Sequence, residues 1–522
     1  MTRRHLTALA VCAIAVLSLF ARGQVSTSDG LEMYRVSVSI VDDQDVWLDE
    51  VPRIGVAGRD GHRTSKYGPL LPVIGVVPVA LVTPVAQVVG HEDQLRQAAW
   101  SLLIPAAAVV LLLWMVALGV RLGASWRWAV AAAAGALLCT YALPYTEDSF
   151  TEPLTALAVV GAVERFLAGR LGTAGALIGL GMLARPQLAP VAALLVAAAA
   201  WDTGGPLAAR LRRALPAATG PALAVAALAA YNLLRFGDPT QTGYRPPADP
   251  GFTTPILDGL HGLLLTSSKS VLLFAPLVLL VPWGVRAVWR LAGDTERAGP
   301  SGTPASEGPG WTATQRRRRL ALGLLIGNAT VTLVTTATWW SWMGGWSWGP
   351  RLLLPGLLPL LVVLGPWLTT TARTGAGASR HTAAPVEAGS APGRRGAHWP
   401  VPAFAVLCLA GLAVSAPTLL VSPQAQLLDR PVPEPGPSIV RQYALVASRI
   451  SALRDPADPV TGGDQKKLVP VWQVALAREA GTKAYAVGVP LTGALLLLLG
   501  WGARDLRRSL RAPSDDQPET LS

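Results

Sequence analysis

Apolar runs of about twenty residues recur along this chain, and they constrain its fold more than any other feature. TALAVCAIAVLSLFA near the start, LLIPAAAVVLLLWMVALGV at 102–120 and VPLTGALLLLLGW near the end are examples. A run of about 20 mostly apolar residues can cross the hydrocarbon core of a bilayer as a helix. Within that core every backbone polar group must be satisfied internally, so only helices and closed barrels span it. Continuous rather than alternating apolar runs of this length are helical. Only 15% of the residues are charged and 51% are hydrophobic, against about 25% charged in ordinary soluble domains. The expected fold class is an all-α polytopic membrane protein.

The net charge is +12. In a soluble chain this would suggest nucleic acid, but here the arginines sit between apolar runs. Examples are Arg121 with Arg127, Arg210 with Arg212 and Arg213, Arg316 to Arg319, and the tail from Arg504 to Arg511. Basic short loops stay cytoplasmic and set orientation, so a nucleic-acid partner is not expected. Helices are expected at about 6–22, 98–120, 127–145, 152–168, 216–235, 269–288, 320–339, 352–369, 401–421 and 486–503. Two more come from 171–201, broken at Ala184-Arg185-Pro186-Gln187 because proline interrupts the helix. This makes about twelve transmembrane helices with both termini cytoplasmic. The proline-rich PLLPVIGVVPVALVTPVAQVVG, from Pro69, is expected to be interfacial or re-entrant on the outer side. A spanning helix there would turn the later basic loops outward. The organisation is a first helix at 1–22 and an outer loop with a juxtamembrane segment at 23–97. A transmembrane core follows at 98–370, then a cytoplasmic linker at 371–400. C-terminal helices at 401–522 flank an outer segment at 423–484, which is expected to meet an acceptor.

The start, MTRRHLTALAVCAIAVLSLFARG, is like a secretory signal but lacks a small-x-small cleavage site, so it is expected to remain as the first helix. Cys12, Cys139 and Cys408 all lie in apolar runs, and the histidines are scattered without ligand spacing. This topology brings SDGLE (28–32), TEDSFTE (146–152), FGDPTQTGY (236–244) and SWMGGWSWGPR (341–351) to one outer face. Carboxylates at a membrane edge are costly to bury, which makes them functional candidates. Solvated loop ends are the plain alternative for each one taken singly. Such a pocket suits transfer of a sugar from a polyprenyl phosphate: a carboxylate removes the acceptor's proton and a guanidinium fork receives the leaving phosphate.

Several passages, in order, carry a family resemblance: SDGLEMYRVSVSIV, GHRTSKYGPLLPVIGVVPVAL, YTEDSFTEPLTAL, YNLLRFGDPTQTGY, LLLTSSKSVLLFAPLVLL and WWSWMGGWSWGPRLLLPGLLPLL. Together they resemble the GT-C membrane glycosyltransferases, in the protein O-mannosyltransferase-like and aminoarabinose-transferase-like branch common in actinobacteria. The likeness covers most of residues 7–370. It implies a GT-C-like bundle acting on the outer face of the cytoplasmic membrane. The donor is a polyprenyl-phosphate sugar and the acceptor a cell-envelope glycan, lipid or protein. The family's base position falls on Asp29. Relatives carry Asp-Glu as neighbours where this chain has Asp29-Gly30, so Glu32 stays open as the base. The second acidic site maps to Glu147, Asp148 and Glu152, and donor-phosphate contacts to Lys66 and Tyr67, with Arg351 after the Trp-rich loop. Trp342, Trp346 and Trp348 are candidates to stack on a sugar; a membrane-interface belt is their plain alternative. Relatives with lipid-monophosphate donors generally need no metal. No cofactor is required here, although outer carboxylates could hold a divalent cation.

A multi-pass transporter or flippase of a lipid-linked substrate is the rival reading. It would place charge near the bilayer midplane beside broken helices, and Arg185 before Pro186 is the feature that fits it. A non-catalytic scaffold is a further rival.

Overall fold

The computed structural model describes residues 3–25, 27–50, 54–147, 149–202, 205–244, 249–293, 313–381, 399–421, 423, 426, 437–454 and 483–511. They are mostly helical. The one sheet among them is a two-stranded hairpin, β1 (Val56–Ala57) with β2 (Arg63–Thr64). Among the described residues six helical stretches are long and apolar enough to cross a membrane: Leu70–Val89, Glu92–Arg121, Leu207–Phe236, Ala313–Thr338, Arg351–Arg373 and Pro400–Leu420. Shorter apolar helices stand at His5–Phe20, Trp126–Leu138, Leu171–Ala184, Pro186–Trp201 and Ile256–Leu265. Among the described residues this fits an all-α membrane protein, but six long helices and several shorter ones do not amount to the expected twelve full-length spans.

The N-terminal half contains α1 (Arg3–Phe20), α2 (Ser28–Asp42), α3 (Leu70–Val89), α4 (Glu92–Ser101), α5 (Leu103–Arg121), α6 (Trp126–Leu138) and α7 (Glu152–Leu167). Then come α8 (Leu171–Ala184), α9 (Ala189–Trp201) and α10 (Leu207–Phe236), with a 3-10 turn at Pro186–Leu188 breaking the chain between α8 and α9 as expected. Next are α11 (Ile256–Leu265), α12 (Val271–Phe274), α13 (Val281–Leu291), α14 (Ala313–Thr338), α15 (Leu354–Leu360) and α16 (Leu364–His381). The chain closes with α17 (Pro400–Ser415), α18 (Pro417–Leu420), α19 (Ile439–Arg454) and α20 (Lys483–Arg511). Helix α19 lies inside the segment 423–484; most of that segment, and most of the linker 371–400, lies outside the described residues.

The helix expected at 269–288 is in fact α12, a 3-10 turn and α13, because Pro276 and Pro282 divide it. Helix α11 before it was not anticipated. The stretch Arg351–Arg373 is 89% buried over its apolar window, so it stands at the centre of the bundle. The terminal helices pair: Gly502 of α20 abuts the Cys12 side chain of α1.

Helices α8 and α10 approach closely through small residues. A Cβ on Gly175 would meet the Ala217 carbonyl oxygen at 2.4 Å, and one on Gly179 the Gly220 oxygen at 2.5 Å. Small residues four apart are how membrane helices bring their backbones together. Gly179→Ala is expected to destabilise the fold by about 1–3 kcal/mol, as overpacking does. A lowered melting temperature of the purified chain checks this, and an unchanged one would mean that the helices part without cost.

The bundle has two chemically different ends. At one, Arg121 and Arg165 pair with the buried Glu164, Arg317 pairs with Asp202 at 2.7 Å, and Arg318 donates to the Arg121 carbonyl. At the other lie Glu152, which opens α7, and Arg185, which closes α8.

Around the second end α2, α3 and α4 form a unit with its own core of Met33, Tyr34, Leu71, Val79, Trp100 and Ile104. The proline-rich stretch is one continuous 20-residue helix, α3, with Pro78 and Pro84 inside it. Pro72 falls in its first turn, where a missing N–H costs nothing. Ser37 Oγ donates to the Pro72 carbonyl at 2.8 Å and receives Trp100 Nε1 at 3.0 Å. Arg96 joins α4 to Thr83 of α3 at 2.9 Å and to Asp42 of α2 at 2.7 Å. Helix α3 thus lies along α2 and α4, and starts where Gly68 touches the Leu183 and Ala184 carbonyls at the end of α8. Its other face exposes Val73, Val77, Leu81, Val85 and Val88.

Candidate functional site

A cavity of about 320 Å³ opens at the end of the bundle that carries Glu152 and Arg185. Drug-sized ligand sites fall in the range of about 300–1,000 Å³. Asp29 enters the cavity from the first turn of α2. Thr27 caps that helix by accepting the Gly30 N–H at 3.0 Å, and a carboxylate in the first turn also suits the helix dipole. Gly30 lets the helix approach the second acidic loop: a Cβ there would lie 2.4 Å from Ser149 Cβ. A glycine directly after Asp29 is what that contact requires.

Arg351 Nη1 donates to Asp29 Oδ2 at 2.9 Å, and its Nε lies 3.3 Å from Glu152 Oε1. Its guanidinium also stands over the Phe150 ring, 4.3 Å from the centroid. Glu152 is fully buried and receives Arg185 Nη2 at 2.6 Å on the same oxygen, while Arg185 Nε donates to Thr151 at 2.9 Å. Two guanidinium groups therefore hold Glu152, and one of them reaches on to Asp29. Burial alone would raise the Asp29 pKa; the Arg351 charge, the Tyr67 hydroxyl bond and the Arg185 charge outweigh it and bring the carboxyl below its ordinary value. Its side chain keeps 20% exposure, so it is both ionised and reachable.

Lys66 and Tyr67 form the opposite wall. The Lys66 ammonium lies over the Tyr67 and Tyr244 rings at 5.4 and 5.5 Å. Tyr67 donates to Asp29, and burial pushes its phenol up. Burial likewise pushes Tyr244 up to about 12, so both stay protonated donors. The backbone of 65–67 is held from behind on two sides. Glu32 Oε1 accepts Ser65 Oγ and the Lys66 N–H, each at 2.8 Å. Arg235 donates to the Ser65 carbonyl and, at 3.2 Å, to that of Tyr67. Of the two candidate bases, Asp29 lines the cavity. Glu32 lies behind the wall, where burial raises its pKa against the Lys66 N–H and Ser65 bonds.

Within the second acidic loop, Glu152 lines the cavity. Glu147 is buried beside Thr146 and does not line it, and Asp148 lies outside the described residues. Trp342, Trp346 and Trp348 do not line it either. The Trp342 ring covers Gly262 of α11, Trp346 Nε1 donates to the Pro423 carbonyl, and Trp348 is buried edge-on to Phe274. The tryptophans on the cavity are Trp339, packed edge-on to Tyr244 and Phe252, and Trp340, whose Nε1 donates to Asp249 at 2.6 Å.

Three residues of consequence were not among the expected site residues. Arg185 was visible only as a charge at a helix break. Tyr244 ends the FGDPTQTGY passage without marking itself. Lys269, within TSSKS, is fully buried and donates to the Gly345 carbonyl at 3.2 Å and to Ser347 O and Oγ at 2.5 and 3.1 Å. It holds the Trp-rich loop just ahead of Arg351.

No protein-family model matches this chain, and neither a curated protein nor a solved structure matches it.

Proposed function

We propose that this chain is a glycosyltransferase of the cytoplasmic membrane, with both termini cytoplasmic and the cavity facing outward. It moves a sugar from a polyprenyl phosphate to an acceptor hydroxyl of the cell envelope, as the resemblance to GT-C enzymes implies. The observation that supports this most is the pairing inside the cavity. One reachable, ionised carboxylate, Asp29, sits beside Arg351, with Arg185 and Lys66 on the same walls. The basic end of the bundle suits the cytoplasm. Helix α3 then stays on the outer side with α2 and α4, its exposed valine and leucine stripe against lipid.

In this reading the acceptor oxygen attacks the anomeric carbon as the carbon–oxygen bond to phosphate breaks. Asp29 takes the hydroxyl proton, and the leaving phosphate keeps the bonding pair beside Arg351 and Lys66. Glu152 sets the direction of both arginines. These cations supply what a leaving phosphate needs, so the reading asks for no cofactor.

The test is a membrane assay with a panel of radiolabelled polyprenyl-phosphate sugars. Label passing to an acceptor, with polyprenyl phosphate released, supports the reading. Labelled lipid crossing vesicles intact, with no transfer, would instead make the protein a flippase. Lys269→Met is expected to lower transfer about tenfold to a hundredfold, because a small displacement of catalytic groups costs that much. The melting temperature should fall as well, since the Gly345 and Ser347 carbonyls lose their donor and an unpaired buried acceptor costs about 1–3 kcal/mol. Undiminished transfer would show that the Trp-rich loop needs no tether.

A further inference from the structure

The cavity is also lined by uncharged residues that stand a helical turn or less along the chain from Glu152 and Arg351, and by threonines of α14. Thr155 stands one turn past Glu152 on α7, and Leu352 and Pro355 follow Arg351. Thr332 and Thr336 lie on one face of α14, two turns and one turn before Trp339 and Trp340. These residues, the floor, are all uncharged, whereas the rest of the cavity carries Asp29, Lys66, Glu152, Arg185, Asp249 and Arg351.

Threonines in a helix commonly return their hydroxyl to the carbonyl four residues back. Thr335 does so to Val331 at 2.7 Å, Thr338 to Val334 at 2.9 Å and Thr155 to Thr151 at 2.8 Å. Thr332 and Thr336, which face the floor, make no hydrogen bond through their hydroxyls to any described residue. Thr336 is only 6% exposed. Thr332 is half-buried, and both residues line the cavity, so their hydroxyls stand open to whatever fills it. Two such hydroxyls one turn apart, with methyl groups, leucine and proline around them, match the edge and face of a polyhydroxylated ring.

We infer that this floor is the donor's sugar subsite, that Thr332 and Thr336 bind the hydroxyls of the sugar ring, and that the sugar is a neutral pentose or hexose. The inference rests on the glycosyltransferase reading and adds the substrate class. An amino sugar would bring a second cation beneath Arg351 and Arg185 with no carboxylate on the floor to meet it. A uronic acid would meet no donor of matching charge there.

The test is equilibrium binding to the full-length chain in lipid nanodiscs, read by tryptophan fluorescence from the cavity's Trp339 and Trp340. The probes are bare polyprenyl phosphate, polyprenyl-phosphate mannose and polyprenyl-phosphate 4-aminoarabinose. The wild type is expected to bind the mannose lipid about tenfold or more tightly than the bare phosphate, the worth of two net hydrogen bonds. The double variant Thr332→Val with Thr336→Val, which keeps shape and removes both hydroxyls, should lose that increment and bind bare phosphate as before. Thr335→Val, whose hydroxyl is spent on its own helix, should keep it. An increment intact in the double variant overturns the subsite and leaves the transferase reading standing. Tightest binding of the aminoarabinose lipid overturns the neutral-sugar assignment. No binding of any of the three lipids overturns the transferase reading and the inference with it.

Discussion

Asp29→Asn is expected to lower sugar transfer from polyprenyl-phosphate donors by about a hundredfold to ten-thousandfold, the usual worth of a positioned general base. The chain should stay folded and inserted. Asparagine has the same shape, and its amide oxygen can still accept Arg351 Nη1 where the carboxylate does at 2.9 Å. What is lost is the ability to take a proton. Glu32→Gln makes the contrast. Its oxygen can still accept Ser65 Oγ and the Lys66 N–H, so the 65–67 wall should stand and transfer should fall by less than about tenfold, within the worth of one weakened hydrogen bond. Rates in membranes at matched expression decide between them. The reverse pattern, with Asp29→Asn active and Glu32→Gln inactive, would move the base behind the wall and require the hairpin to open during turnover.

Much of the site was legible because the carboxylates and cations sit at helix ends, and apolar periodicity locates helix ends. Asp29 follows α1 in the first turn of α2, Glu152 opens α7, and Arg351 follows the Trp-rich loop. The break at Arg185-Pro186 was readable from proline's missing N–H, but its consequence was not. Turning at Pro186 brings Arg185 Nη2 to within 2.6 Å of Glu152, across 33 residues of sequence. The tryptophans went the other way. Residue type suggested that Trp342, Trp346 and Trp348 stack on a ligand, yet each rings a different part of the protein. Trp342 has room only because Gly262 of α11 lacks a side chain; a Cβ there would lie 2.1 Å from the ring. A pairing between a loop and a glycine 80 residues earlier leaves no local trace. The same holds for α3. Four prolines argued against a regular helix, and its packing on α2 and α4 retains one despite Pro78 and Pro84.

Removing Arg351 tests the electrostatic design most directly, because it should change both the rate and the pH profile. Arg351→Met withdraws the fork that reaches Asp29 and Glu152. A preorganised donor facing developing charge is worth about a hundredfold to a thousandfold in rate, and that loss is expected. Arg351→Lys should recover part of it, restoring charge without the planar fork. The pH profile follows from Asp29. In the wild type its carboxyl lies below the ordinary 3.8, because Arg351, Tyr67 and Arg185 outweigh burial. It therefore stays ionised as the medium acidifies, and the acid limb of transfer should fall below the ordinary aspartate range. Without Arg351 the burial contribution is opposed by less, so the pKa rises. A higher pKa means protonation at higher pH, so the base is lost earlier as pH falls and the acid limb moves upward. A group that only held the fold together would lower the rate without moving the limb. A limb that stays in place in Arg351→Met, with the rate reduced, would mean that some other group sets it and that Asp29 is not the base.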